Sequence, residues 1–111
     1  MSLTADVLRG YTDTIILRCL SGGESYGYQI NKEVAERSEG QFELKEATLY
    51  TAFRRLEQGG YIASRWGDEA SGARRRYYAL TPAGREKLNQ ECAAWEETRR
   101  LLDLLLKEEE R

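Results

Sequence analysis

Hydrophobic and polar positions follow a helical period over the first part of the chain. From about Leu8 to Leu20 the apolar side chains recur every three or four residues, and the sequence SGGE then breaks the pattern. A second helix is predicted to begin with Ser25 as its N-cap and to end at Gly40. Gly27 in its first turn indicates either a close approach of a neighbouring element or a tolerated glycine.

The sequence TLYTAFRRLEQGG (residues 48–60) predicts a third helix with a single apolar face. Leu49, Ala52, Phe53 and Leu56 are spaced i, i+3, i+4 and i+7, which turns all of them to one side. The two glycines at the end stop the helix. The outward positions are therefore polar, and they are Lys45, Thr48, Tyr50, Thr51, Arg54 and Arg55.

After these glycines the period changes from helical to alternating. YIASRWG (61–67) and RRRYYALT (74–81) predict two short strands, and DEASGA (68–73) predicts the turn-rich connection of a hairpin. Thr81 and Pro82 then predict the N-cap and first position of a last helix.

The predicted fold is mainly α with a small β-hairpin, because helix–helix–helix–hairpin–helix is the order of a winged helix-turn-helix. In that fold a helix enters the DNA major groove, and a cationic hairpin beside it contacts the backbone or the minor groove. The predicted DNA contacts are Lys45, Thr48, Thr51, Arg54 and Arg55 from the third helix, and Arg74, Arg75 and Arg76 from the hairpin.

Charge is distributed in agreement with this prediction. The whole chain has a net charge of −2, yet residues 45–81 carry seven basic and four acidic side chains, a local excess of +3. A local positive excess is typical of a surface that binds a polyanion. Ordinary solvated faces explain the totals, but they explain the clustering less well.

Composition argues against an enzyme. The 111 residues suit one small domain, and the sequence contains no histidine, phosphate-binding loop or nucleophile motif. We therefore expect no catalytic residues, no metal site and no cofactor. Cys19 and Cys92 are interpreted as inert free thiols, with redox sensing as the alternative. No apolar run approaches the roughly 20 residues that span a bilayer, so a cytoplasmic protein is expected.

Five segments lie in order along the chain: LRG (8–10), SYGYQI (25–30), TLYTAFRRLEQGGYI (48–62), RRYYALT (75–81) and Gly84. Together, in this order and spacing, they resemble the PadR family of bacterial transcriptional regulators. The resemblance implies a winged-helix repressor that binds double-stranded DNA as a homodimer. It leaves open whether a small aromatic molecule relieves repression. Lys45 and Arg74 stand where the family often has a Ser or Thr cap and a proline, so no operator sequence is carried over.

The resemblance also singles out aromatic positions. Tyr26 and Tyr28 match the tyrosines of the YGY motif, Tyr50 that of TLY, and Tyr77 belongs to the basic-aromatic run of the wing. Tyr26, Tyr50 and Tyr77 are counted among the DNA-binding candidates, although core packing remains open for each of them.

The last helix is predicted to pair with a second copy of the chain. A helix of about 25 residues is ~37 Å long and overhangs so small a domain. Its apolar seam needs a partner, and folding back onto the first helix is the alternative. Residues 1–81 are thus assigned to DNA binding and 82–111 to dimerisation. The predicted interface comprises Leu8, Leu88, Cys92, Trp95, Leu102 and Leu105.

Two interpretations stay open at this stage. Trp95 either packs in the helix seam or lines a pocket for a flat aromatic ligand, as the resemblance to PadR proteins suggests. The domain as a whole has one rival function, a winged-helix module that docks an acidic protein. A DNA reader differs from such a module in its steep salt dependence and its preference for one duplex sequence.

Overall fold

A computed structural model describes residues 3–67 and 74–109. Within them the chain forms five helices and two strands in the order that the winged helix-turn-helix requires. Their bounds are α1 Leu3–Arg9, α2 Thr12–Leu20, α3 Gly27–Arg37, α4 Glu46–Gln58, β1 Ile62–Trp66, β2 Arg76–Leu80 and α5 Pro82–Leu106. The connection predicted at residues 68–73 lies outside the described part of the chain.

The first helical region differs from its prediction. The continuous helix expected from about Leu8 to Leu20 is interrupted after Arg9, so that α1 and α2 are separate helices. The amide of Gly10 donates to the Val7 carbonyl at 3.0 Å, closing the last turn of α1. The Thr12 hydroxyl donates to the Arg9 carbonyl at 2.7 Å. Local bonds thus terminate one helix before the next begins.

The start of α3 is also shifted. Ser25 was predicted as the N-cap, but Tyr26 occupies that position. Ser25 instead pairs with Tyr78 of β2: its amide donates to the Tyr78 carbonyl at 3.0 Å, and its carbonyl accepts from the Tyr78 amide at 2.8 Å. The backbone of Ser25 is therefore hydrogen-bonded to β2, and these bonds hold the start of α3 against the hairpin.

The apolar face predicted for α4 is confirmed, and it forms the centre of the core. Leu49, Ala52, Phe53 and Leu56 are all buried. The Phe53 ring stacks on the ring of Tyr78 with centroids 3.9 Å apart, which fixes α4 against the hairpin. The polar face of α4 must consequently point away from the core.

The hairpin and the last helix follow the prediction closely. β1 and β2 pair antiparallel, with Ile62 opposite Leu80 and Trp66 opposite Arg76. The Thr81 hydroxyl accepts from the Gly84 amide at 3.1 Å, and Pro82 opens α5. No helix among the described residues has the length and apolar character needed to cross a membrane.

One predicted interface residue requires correction. Leu88 was assigned to a surface that meets a second copy, but its side chain is only 1% exposed and belongs to the core of the chain itself. The reason is that the first turns of α5 pack on the domain. Only the later part of the helix is free to carry an exposed seam.

Candidate nucleic-acid interface

The polar face of α4, the start of α3 and the hairpin enclose an open groove of about 620 Å³, called the wing groove below. It combines several aromatic rings with four arginines. Its lining consists of Tyr26, Gly27, Tyr28, Tyr50, Arg54, Glu57, Trp66, Arg74, Arg75, Arg76 and Tyr78. Six of the predicted DNA-binding residues, Tyr26, Tyr50, Arg54, Arg74, Arg75 and Arg76, are brought together here.

On the α4 side, Tyr50 and Arg54 line the groove one helical turn apart. A Cβ atom at Gly27 would lie 3.3 Å from the Tyr50 hydroxyl and 3.5 Å from Leu49, so the glycine allows α3 to approach α4 closely. Arg54 forms no ion pair with any residue in the described parts of the chain. Its charge is therefore available to an anion entering the groove.

On the hairpin side, Trp66 organises two arginines. The guanidinium carbons of Arg74 and Arg76 lie 5.1 and 5.2 Å from the centre of the Trp66 ring. The Trp66 side chain is itself 51% exposed. Cation–π contacts of this kind hold a guanidinium near an aromatic face without neutralising its charge.

Tyrosine rings hold the third hairpin arginine, Arg75, in a similar way. The Arg75 guanidinium lies 4.6 Å from the centre of the Tyr26 ring, and Tyr26 packs edge-on against Tyr77 with centroids 5.6 Å apart. Tyr77 does not line the groove; its ring supports Tyr26 and lies under Arg65 at 4.8 Å. Arg65 in turn donates two hydrogen bonds to Glu24, at 2.6 and 2.8 Å, which lower the pKa of that carboxyl group.

Arg55 lies away from the wing groove, although it neighbours Arg54 in sequence. Its guanidinium donates to both carboxylate oxygens of Asp13 on α2, at 3.0 and 2.5 Å. These bonds raise the pKa of Arg55 further above its already high value. Because consecutive residues on a helix are rotated by about 100°, Arg54 and Arg55 serve two different neighbours.

The remaining α4 candidates lie at the N-cap and in the first half of the helix. Lys45 is the N-cap residue, and its side chain makes no capping bond. Lys45, Thr48 and Thr51 are exposed and lie outside the lining of the wing groove. Together they form an exposed polar surface on the first half of α4.

A second depression, called the apolar groove below, lies between α1, α2, α3 and α5 and measures about 440 Å³. Leu8, Tyr11, Cys92 and Trp95 are among its lining residues. Trp95 is 41% exposed and meets Tyr11 edge-on with centroids 5.6 Å apart. The predicted interface residues Leu8, Cys92 and Trp95 are thus brought together, whereas Leu102 and Leu105 stand exposed further along α5.

The two cysteines are free thiols, and both line the apolar groove. Cys19 is buried, and burial raises the pKa of its thiol from 9.0 to about 12. Such a thiol is a poor nucleophile at neutral pH because almost none of it is ionised. No cluster of metal-ligating side chains occurs in residues 3–67 and 74–109.

Comparison with known proteins identifies the family. The model of the transcriptional regulator PadR-like family matches residues 16–90. The chain is 46% identical to a transcriptional regulator from Clostridium thermocellum of known structure, over 92% of this chain and 99% of that one, with a TM-score of 0.84. The chain belongs to the PadR-like family.

Two further relatives agree with this assignment. A PadR family transcription regulator from Clostridium difficile is 36% identical, with 86% of this chain and 98% of that one covered and a TM-score of 0.77. An uncharacterized protein from Lysinibacillus sphaericus is 38% identical over 92% of this chain and 94% of its own. The predicted resemblance and the winged-helix fold are confirmed. So is the functional class, a transcriptional regulator rather than an enzyme.

Five residues of the wing groove were absent from the DNA-binding residues predicted from the sequence: Gly27, Tyr28, Glu57, Trp66 and Tyr78. Trp66 pairs with Arg76 across the hairpin and exposes half of its side chain. The strand register would have indicated this, since a directly opposite residue shares its face of the sheet. Tyr28 is 75% exposed, and its place in the PadR-like YGY motif was the available signal.

Proposed function

We propose that this PadR-like regulator binds double-stranded DNA with α4 in the major groove and the hairpin on the flanking backbone. The observation that carries the proposal is the wing groove, in which Arg54 of the helix and three hairpin arginines surround one open depression. An α-helix fits the major groove, and arginine contacts both phosphates and base edges.

Helix α4 and the hairpin have different proposed roles. We propose that the exposed polar surface on the first half of α4 contacts base edges or phosphates in the major groove through Lys45, Thr48 and Thr51. Arg74, Arg75 and Arg76 are proposed to meet the backbone or a narrow minor groove beside it. Aromatic contacts support the second role, because Trp66 and Tyr26 hold these guanidinium groups near the groove.

Arg55 has a weaker claim to a DNA contact than its neighbour. Its two hydrogen bonds to Asp13 must be broken or shared before the guanidinium meets a phosphate. We therefore rank Arg54 ahead of Arg55 among the DNA-binding candidates of α4.

We further propose that the protein is a homodimer, with residues 1–81 as the DNA-binding part and residues 82–111 as the dimerisation segment. The exposed apolar side chains of α5 support this division: Leu102 is 45% exposed and Leu105 is 76% exposed. The apolar groove, with Leu8 and Trp95 in its wall, is proposed to receive the corresponding segment of a second copy. Self-pairing would remove both apolar surfaces from water.

Repression and relief by an effector complete the proposal. A dimer on two half-sites about one DNA turn, ~34 Å, apart would exclude other proteins from the same promoter segment. A flat aromatic effector is proposed to bind beside Trp95, where the edge of Tyr11 and apolar side chains offer stacking surfaces. Binding there would act on the interface rather than on the wing groove.

The test is fluorescence anisotropy of a labelled duplex from the region upstream of the protein's own gene, with scrambled duplex as competitor, across a salt series. The proposal expects binding that resists the competitor and a log–log salt slope of several units, since each phosphate contact contributes about −0.9. Equal binding to every duplex would contradict sequence-specific recognition. No duplex binding, together with capture of an acidic protein partner, would favour a docking module instead.

A further inference from the structure

Among the residues that the structure describes, Glu57 is the one acidic side chain in the lining of the wing groove. It stands near the end of α4, one turn beyond Arg54, with its side chain 35% exposed. One carboxylate oxygen, Oε2, accepts a hydrogen bond from the Ser64 hydroxyl at 2.5 Å. The other, Oε1, lies 3.6 Å from Nη2 of Arg76.

Arg76 is consequently held between two groups. Its guanidinium faces the Trp66 ring at 5.2 Å and the Glu57 carboxylate at 3.6 Å. A guanidinium paired with a carboxylate presents less net charge to an approaching phosphate than an unpaired one. Contact between Arg76 and DNA would leave Glu57 without its partner, in a surface that faces a polyanion.

We infer that Glu57 is an intramolecular competitor of DNA phosphate for Arg76, and that it lowers the affinity of the wing groove for every duplex, whatever its sequence. This inference rests on the DNA binding proposed above. Weak binding to arbitrary sequence is useful to a regulator, because non-cognate sites in a genome far outnumber operators.

A purely structural role for Glu57 is separable from this one. The hydrogen bond from Ser64 ties α4 to β1, and a glutamine accepts the same bond through its amide oxygen. Glu57→Gln therefore preserves the tie and removes only the charge. Glu97→Gln is the matched control: Glu97 forms an ion pair with Arg100 at 2.6 Å on α5, well beyond the wing groove.

The experiment measures the affinity of the full chain for a non-cognate 20-base-pair duplex from low to moderate salt, for the wild type and both variants. We expect Glu57→Gln to bind about three- to tenfold more tightly at low salt, because Arg76 is then released from its carboxylate partner and presents its full charge to phosphate. We also expect its log–log salt slope to steepen by up to about 0.9, because no cation must then neutralise Glu57 in the complex. At about 0.1 M salt, where charges farther apart than a Debye length of about 10 Å are largely screened, Glu97→Gln should stay within about twofold of the wild type.

A third comparison tests the role of Arg76. In an Arg76→Ala background, Glu57→Gln should change the affinity by less than about twofold, as a double-mutant cycle requires when the two residues are coupled. An unchanged gain in that background would overturn the competition for Arg76. Equal or weaker binding by Glu57→Gln, with its thermal unfolding unchanged, would overturn the inference while leaving DNA binding intact. Failure of the wild type to bind any duplex would overturn the proposed function and the inference together.

Discussion

Gly84 in the first turn of α5 offers the sharpest test of how the last helix is attached to the domain. A Cβ atom at this position would overlap the carbonyl oxygen of Tyr61 and lie 2.9 Å from both the Tyr61 carbonyl carbon and Cδ1 of Leu80. Carbon atoms in van der Waals contact are about 3.5–4.0 Å apart, and the Tyr61 oxygen lies closer still, so α5 or the segment before β1 must move by more than about 1 Å.

The size of the effect follows from what that movement disturbs. Overpacking against a core typically costs about 1–3 kcal/mol. The Tyr61 carbonyl also accepts from the Thr81 amide at 3.1 Å, and the Thr81 hydroxyl donates to the Gly60 carbonyl at 2.7 Å. Weakening these hydrogen bonds increases the loss of stability by about 1 kcal/mol. Alanine also lowers the conformational entropy of the unfolded chain, which offsets about 0.4–1 kcal/mol of that loss. We expect Gly84→Ala to lose about 1–3.5 kcal/mol of unfolding free energy, with a midpoint of about 2 kcal/mol, by the sum of these effects.

Thermal and urea unfolding, followed by circular dichroism at equal protein concentration, measure this loss. A loss of that size lowers the Tm by roughly 10 °C in a domain of this length. Gly22→Ala is the matched control, because nothing lies within 4 Å of its added Cβ and its φ is not positive. If Gly84→Ala were as stable as Gly22→Ala, the close approach of α5 to Tyr61 would be refuted.

Three other predictions address the remaining parts of the account. Arg75→Ala should weaken duplex binding about fivefold and reduce the log–log salt slope by about 1, because one phosphate contact is lost. Fluorescence anisotropy that shows wild-type affinity and slope would contradict a place for Arg75 in the interface. Trp95→Arg should weaken the proposed dimer at least tenfold by adding a charge to an apolar surface, and an unchanged mass in sedimentation equilibrium would contradict that interface. The pKa of the Cys19 thiol rises from 9.0 to about 12 on folding. Between pH 9 and pH 12 the unfolded state loses the thiol proton and the folded state keeps it. The stability that comes from the neutral, buried thiol is therefore lost as the pH rises from 9 to 12. Cys19→Ala should therefore lose stability less steeply than the wild type over that range in urea titrations, and parallel curves would contradict a buried protonated thiol.

Much of the fold could be predicted because single elements carry clear local signals. The i, i+3, i+4, i+7 spacing of Leu49, Ala52, Phe53 and Leu56 identifies both the helix and its buried face. The Thr81-Pro82 pair identifies the start of α5, since both residues act within one turn of their own position.

The errors arose where distant residues decide the local structure. The capping position at the start of α3 is taken by Tyr26 because Ser25 pairs with Tyr78, which is more than fifty residues away in sequence. Leu88 fits the apolar seam of α5 by spacing, yet it lies in the core because the first turns of α5 pack on the domain. Periodicity identifies an apolar face but not the surface that covers it.

The candidate site was predictable in its composition and less so in its geometry. The clustering of arginines in residues 45–81 indicated a polyanion-binding surface, and four of them line the wing groove. The pairing of Arg55 with Asp13, and of Arg76 with Glu57, depends on contacts between different elements. No spacing rule within one element reveals such contacts.

The most direct test of DNA recognition through the wing groove compares two charge-matched variants on one duplex. Arg54→Ala removes a cation that lines the groove, and Arg99→Ala removes one from the exposed face of α5, where it pairs with Glu96 at 3.7 Å. By anisotropy at fixed salt, Arg54→Ala should weaken binding about fivefold or more, and Arg99→Ala should leave it within about twofold. Equal losses in both variants would mean that net charge alone governs binding, and would contradict recognition through this groove.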